Sequence, residues 1–518
     1  MLDVGDPEMK VVDPLHAATN IVPSPAEFFV PVVLLMVLSH FHHHDISYCY
    51  WKSSRRLRHV VAGEADMDLL VARKDQHRAE MILSERGFKR FPTVASRDHP
   101  PIVSFLGYDE AGGRLIHLHL HFRLITGERL LKNYCIPWEE AILARAIVHP
   151  TVVVRILDPV TEALLLIVRA CLEMRRSDPI TLRDWQETKR KFSLDRSDLV
   201  TRIDRTTLCN RATELFPADV SEMLVRAFYD ERSLEHHRRL RRRLQDHFAP
   251  YRTYNSLEAR LRSIARTIPW VAGSMNKRFF HFPRSWNRRA PGGGWLIAVV
   301  GVDGSGKTTI VAAIREWLAN EVDVLPIYFG TGEGRPSLLL WPLKPLALLF
   351  TRLFKTKPKG ASHGTISTRG PGRLYAVLLM AWSIVVAMEK RVKLLAARRG
   401  ANRGLIVLAD RYPQNEILGF NDGPLLTRLI GVPHWLRRFE ADTYALTHRL
   451  HPDLVIKLEV TPETAARREP TMDPTVIRER IEAIPRLAFP GAKVVCVDAE
   501  QPLADVIGTV KREVWRLL

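Results

Sequence analysis

The stretch Gly301-Val302-Asp303-Gly304-Ser305-Gly306-Lys307-Thr308-Thr309 constrains this chain more than any other. It follows an apolar run, Trp295–Val300, of the kind that forms a buried strand, and it leads into a helix-patterned segment, Ile310–Leu318. Strand, glycine-rich turn and helix in that order dictate an open α/β sheet with the turn at a strand's carboxyl end. Glycines let successive backbone N–H groups curve around an anion. The N-terminus of the following helix adds partial positive charge.

That arrangement suits a triphosphate. Gly301, Gly304, Ser305, Gly306, Lys307, Thr308 and Thr309 form the set expected to bind ATP. Lys307 would reach the β- and γ-phosphates, and the Thr308 hydroxyl would ligate Mg²⁺. A second buried strand, Gly404–Ala409, ends in Asp410-Arg411-Tyr412. Residues at the carboxyl ends of strands line the ligand crevice of such a sheet. Asp410 is therefore expected to hold Mg²⁺ or its water, and Arg411 to grip phosphate.

Together with His451–Glu469 (HPDLVIKLEVTPETAARRE) and Val494–Val510 (VVCVDAEQPLADVIGTV), these motifs make residues 295–518 resemble the thymidylate kinase family of P-loop nucleoside-monophosphate kinases. The resemblance implies that Asp303 contacts the acceptor's sugar hydroxyl and that Arg411 binds the acceptor phosphate and the phosphoryl group in flight. It also implies that Arg467 and Arg468 begin a mobile lid. One branch of the family carries an Arg where this chain has Gly304, so the resemblance is to the branch that keeps its catalytic arginine in the lid. The acceptor half departs from the family pattern. Tyr328–Ser337 replaces the usual base-binding loop, and Pro413-Gln414-Asn415-Glu416 with Asn421-Asp422-Gly423-Pro424 replaces the usual thymine-binding stretch. The acceptor is left open among thymidylate, another nucleotide, a sugar or a small phosphate ester.

The chain has 518 residues, more than one hydrophobic core accommodates. Asp66 and Asp68, in Ala65-Asp66-Met67-Asp68-Leu69, share one face of an expected strand. Two carboxylates so placed can bridge divalent metals in group transfer. With Lys52-Ser53-Ser54 before them, they make about Ile46–Leu124 resemble the nucleotidyltransferase superfamily. On the later strand Ile116–Leu124, a histidine (His117 or His119) stands where that resemblance implies a third acid, which leaves transfer activity in question. The alternating His117, His119 and His121 share a face that can ligate a metal such as Zn²⁺.

The fold expected is α/β: a P-loop parallel sheet with helices on both faces, preceded by a small nucleotidyltransferase-like domain and a helical extension. The segments read as a flexible tail (1–25), the α/β domain (26–150), the helical extension (151–268), a basic linker rich in Pro and Gly (269–294) and the kinase-like domain (295–518). In the extension, Asp158 followed by Pro159 reads as a helix start. The formal net charge of +19 favours polyanionic partners. A small phosphoryl acceptor, above all a nucleotide, leads. Nucleic acid is the weaker choice, because the run Arg238–Arg243 lacks interleaved aromatics, and a homodimer is left open. Five scattered cysteines, an acidic Met1–Lys10 without secretory character and apolar runs too short to span a bilayer (Phe28–Leu38, Leu374–Met388) point to a cytoplasmic protein. Two rival readings are an ATP-binding regulator without turnover and a nucleic-acid end-processing enzyme.

Overall fold

A computed structural model describes residues 29–174, 182–230, 238–280, 282–330, 373–417, 424, 426, 432–470 and 472–518. The expected tail, Thr331–Ser337 and Asn421–Gly423 lie outside the described residues. The first nine strands are β1 (Tyr48–Tyr50), β2 (Met67–Val71), β3 (Lys89–Arg90), β4 (Ile102–Asp109), β5 (Arg114–His121), β6 (Leu124–Thr126), β7 (Tyr134–Ile136), β8 (Ile147–Val148) and β9 (Arg155–Ile156). Seven of them form a mixed sheet in the order β3-β4-β5-β2-β1-β9-β8, while β6 pairs with β7 alone. The period-2 alternation of β5 decides what each face carries. Ile116, Leu118 and Leu120 join a core with Met67, Leu69 and Phe105, and the histidines turn to the other face. There β2 runs parallel to β5, with Asp68 opposite His119.

The C-terminal sheet consists of β10 (Trp295–Gly301), β11 (Val324–Tyr328), β12 (Ile406–Asp410), β13 (Leu454–Glu459) and β14 (Lys493–Asp498). All its pairings are parallel, and the order is β11-β12-β10-β13-β14. Helices Lys307–Ala319 and Arg373–Asn402 both pack against β10, β11 and β12. Such cover explains why the central strands are continuous apolar runs rather than alternating ones. The run Leu374–Met388 falls in the second of these helices, which buries Val386, Ala387, Leu394, Ala397 and Ala401. Among the described residues no helix is long and apolar enough to cross a membrane.

In the sequence between the two sheets, helices Pro159–Glu173, Trp185–Val200, Arg205–Leu215, Ala218–Tyr229 and Arg238–His247 share an apolar core. The basic run Arg238–Arg243 opens the last of these, which turns Leu240 and Leu244 inward and pairs Arg243 with Asp219. The Pro-containing stretch after residue 268 is less irregular than its composition implies. Helix Ser256–Met275 runs through Pro269. Only Gly273 of this helix is buried, so water can satisfy a carbonyl that loses its partner at the proline.

Asp158 caps Pro159–Glu173 by accepting from Thr161 N at 3.1 Å. In the first turn Glu162 Oε1 accepts from Ser54 N at 2.8 Å, while Glu162 Oε2 is buried without a hydrogen-bond partner. Burial pushes the Glu162 carboxyl from 4.5 up to about 7, against the opposing Ser54 amide. A raised folded-state value means that relative stability is lost as pH climbs through that window. Glu162→Gln keeps the acceptor and removes the ionisation. It should leave unfolding stability nearly unchanged at the acid end of the window. Above the window it should raise stability by on the order of 2 kcal/mol, read as the variant-minus-wild-type difference in denaturant titrations.

The two sheets are not independent. Phe91, Leu106 and Tyr108 belong to the same apolar cluster as β10 and β12. Trp515, near the C-terminus, stacks on Phe91 with ring centroids 6.4 Å apart. Lys511 Nζ donates to Gly113 O at 2.6 Å across the same boundary.

Candidate active site at the phosphate-binding turn

The turn begins where β10 ends. Gly304 and Gly306 have φ of +82° and +89°, a region that side chains with a Cβ avoid. A Cβ on Gly304 would also approach the Ala465 carbonyl oxygen to 3.0 Å, so any larger residue crowds the helix Pro462–Arg468 that follows β13. Ser305 N closes the turn onto Val302 O at 3.2 Å. Helix Lys307–Ala319 starts at its end and aims its first N–H groups into the loop.

Lys307 is 5% exposed and lies along the turn, donating to Val302 O at 2.6 Å with Asp303 Oδ1 at 3.8 Å. The Thr308 hydroxyl donates to Asp410 Oδ2 at 2.8 Å. Parallel pairing of β10 with β12, Val299 opposite Asp410, is what brings that carboxylate to the turn. Asp410 Oδ1 and Ser305 Oγ are both buried without a hydrogen-bond partner among the described residues. A hydroxyl, a carboxylate with one oxygen unsatisfied and glycine-lined backbone are the donor types that a Mg²⁺-bound phosphate chain requires.

Asp303 is the hub of the cations. Arg411 Nη2 donates to its Oδ1 at 2.6 Å, and Arg480 Nη1 to its Oδ2 at 2.5 Å. Burial raises the Asp303 carboxyl, but Arg411, Lys307 and Arg480 outweigh it and hold the group well below the usual carboxylate range. Arg411 takes a φ of +70°, which costs a non-glycine residue conformational energy. Its backbone N–H is nevertheless fixed to Val299 O at 3.0 Å.

Arg468 Nη1 reaches Gly304 O at 3.2 Å. Arg467, its neighbour, is exposed and bonds to nothing among the described residues; successive helical positions point in different directions. Thr309 is exposed one position beyond Thr308. Arg480 escaped the sequence reading. Its signal is a charge on an apolar stripe: Ile477, Arg480 and Ile484 recur at helical spacing, and all three are buried. Gln414 serves the loop itself, whereas Glu416 ties it to the segment before β14. Gln414 accepts from Glu416 N and Ile417 N, and Glu416 accepts from Phe489 N. Asp66 and Asp68 lie apart from this turn, opposite the histidines of β5.

No family model matches the chain. Over 227 residues it is 31% identical to the uncharacterized ATP-binding protein YghS of Escherichia coli K12, a span of 43% of this chain and 93% of YghS. The chain belongs to the YghS family. A second Escherichia coli K12 relative, the uncharacterized ATP-binding protein YghR, is 27% identical over 223 residues, covering 42% of this chain and 86% of YghR. The match to the YghS family lies in the C-terminal part of the chain, the part that carries the phosphate-binding turn.

Proposed function

We propose that this protein is an ATP-dependent phosphotransferase that transfers the γ-phosphoryl group to a small-molecule acceptor, with nucleoside monophosphates such as thymidylate as the leading class. The observation that carries the reading is the pairing of Thr308 with Asp410, which retains one unsatisfied carboxylate oxygen, within a turn that also gathers Lys307, Arg411 and Arg480. The ATP-binding relatives and the thymidylate kinase resemblance of residues 295–518 support it. Thr308 and Asp410 would hold Mg²⁺. Bound there, the ion supplies charge neutralisation at the phosphates.

In the transfer an acceptor oxygen forms a bond to the γ-phosphorus, the bond to the β-bridging oxygen breaks, and the acceptor's proton is lost to solvent or a base. Little covalent work falls to the protein, so positioning and charge dominate. Lys307 and the turn's backbone N–H groups fix the donor phosphates. Arg411 and Arg480, oriented by Asp303, offer guanidinium forks to negative charge building on the equatorial oxygens.

The test is a radiolabelled γ-phosphate transfer screen. Full-length protein is offered nucleoside monophosphates, sugars, simple phosphate esters and oligonucleotide ends. At least one small acceptor should become labelled, only with Mg²⁺ present. ATP bound without acceptor-stimulated consumption would replace this reading with that of a non-catalytic regulator, and label on oligonucleotide ends alone would replace it with end processing.

A further inference from the structure

Away from the phosphate-binding turn, β2 and β5 bring together polar atoms that the proposed kinase chemistry does not use. His119 Nδ1 lies 3.2 Å from Asp68 Oδ1 and 3.9 Å from Asp66 Oδ2. His121 Nε2 lies 2.9 Å from the same Asp68 Oδ1. Both groupings, Asp66–His117–His119 and Asp68–His119–His121, place one atom of each residue within 4.8 Å of the others. Ligands about 2.0–2.2 Å from a tetrahedral ion stand roughly 3.3–3.6 Å apart, and these spacings bracket that range. Lys52 approaches Asp68 through Oδ2, at 3.9 Å, and leaves Oδ1 to the imidazoles. Arg288 Nη2 is 3.4 Å from His119 Nε2, too long to fix the ring's tautomer.

We infer that Asp66, Asp68, His119 and His121 form a binding site for a borderline divalent cation of the Zn²⁺ class. Two imidazoles in the donor set favour such an ion over Mg²⁺, which takes oxygen ligands. His117 supports the site from outside. Its Nδ1 lies 2.9 Å from Asp66 Oδ1 and 3.0 Å from Glu321 Oε2, so it orients the carboxylate it touches. Glu321 follows the helix that starts at the phosphate-binding turn.

Full-length protein, stripped with chelator, is titrated with Zn²⁺ and separately with Co²⁺, and bound metal is counted after gel filtration. One Zn²⁺ per chain at roughly micromolar affinity or tighter is expected, with the intense visible absorption of four-coordinate Co²⁺. His119→Ala and His121→Ala should each weaken binding by more than about 100-fold, and His117→Ala by about 10- to 100-fold. Absence of stoichiometric Zn²⁺ and of the Co²⁺ spectrum in the wild-type protein overturns the assignment without reliance on any variant. So does binding that survives His119→Ala but vanishes when His42, His43 and His44 are replaced.

A second surface stands on a separate observation. Helix Ser256–Met275 is amphipathic the wrong way round. Leu257, Leu261, Ile264, Ile268, Val271 and Met275 recur at alternating spacings of four and three, and each is 42–69% exposed. The polar side meets the body: Arg266 donates to Leu130 O at 2.7 Å and to Asp98 O at 2.9 Å. The apolar stripe continues into exposed Phe279, Phe280 and Phe282, beside Lys277 and Arg278. We propose that this face docks on an anionic lipid surface, the partner that combines an apolar interior with charge opposite to the basic flank and the chain's net +19.

Co-sedimentation of the full chain with phosphatidylcholine vesicles, with and without phosphatidylserine, tests this. Binding should rise at least about tenfold with phosphatidylserine, fall with salt, and be lost in Leu261→Asp/Ile264→Asp. Equal pelleting with neutral vesicles, no pelleting with either, or a dimer in sedimentation equilibrium that those substitutions dissolve would each overturn the lipid assignment; the last would give the stripe to a second copy of the chain.

Discussion

Lys307→Ala should lower phosphoryl transfer roughly a thousandfold while leaving the protein folded. The side chain is almost fully enclosed, and its ammonium sits between the Val302 carbonyl and the Asp303 carboxylate. A point charge in that enclosure is worth far more to a phosphate chain than one in water, because little solvent screens it. Asp303 keeps Arg411 and Arg480 after the substitution, so the turn loses a cation without acquiring an uncompensated buried carboxylate. Initial rates with the best acceptor, set beside circular dichroism of the variant, read the effect. A rate within tenfold of wild type would remove Lys307 from the chemistry and the kinase reading with it.

Arg480→Ala should cost about a hundredfold in kcat, with a smaller change in KM for ATP. Arg480 is buried on helix Pro474–Ala483, and its guanidinium is committed to Asp303 within the turn. Arg480→Lys keeps the charge but not the planar fork, so it should recover only part of the loss. Arg478, exposed on the same helix, is the matched control, and its alanine variant should stay within about threefold of wild type. Equal losses at positions 478 and 480 would mean that the helix matters only for folding.

The contrast between Arg480 and Arg468 shows where reading the sequence reaches its limit. The turn, its strand and its helix were legible because local chemistry dictates them: an apolar run, glycines at forced dihedrals and a helix start. Asp410 and Arg411 were legible because strand ends in a parallel sheet converge. Arg480 was not, since its place depends on how a helix some 170 residues beyond the turn packs against it, and no local pattern encodes that approach. The same holds in the N-terminal sheet. The alternation of His117, His119 and His121 was plain, but the parallel register that sets His119 against Asp68 is a long-range fact. Composition misled once. Pro and Gly after residue 268 suggest irregular chain, yet the helix crosses Pro269 because its neighbouring face is wet.

The aromatic contacts between the N-terminal sheet and two helices of the C-terminal part bear on how this protein can be handled. Tyr108 meets both Trp317 and Trp515, with centroids 5.2 and 6.1 Å away. Severing the polypeptide ahead of Trp295 would strip those indoles of their cover and leave adhesive patches on each fragment. Truncated halves should therefore precipitate or cling to chaperones, and any assay on them would report the damage at the seam rather than the intact protein.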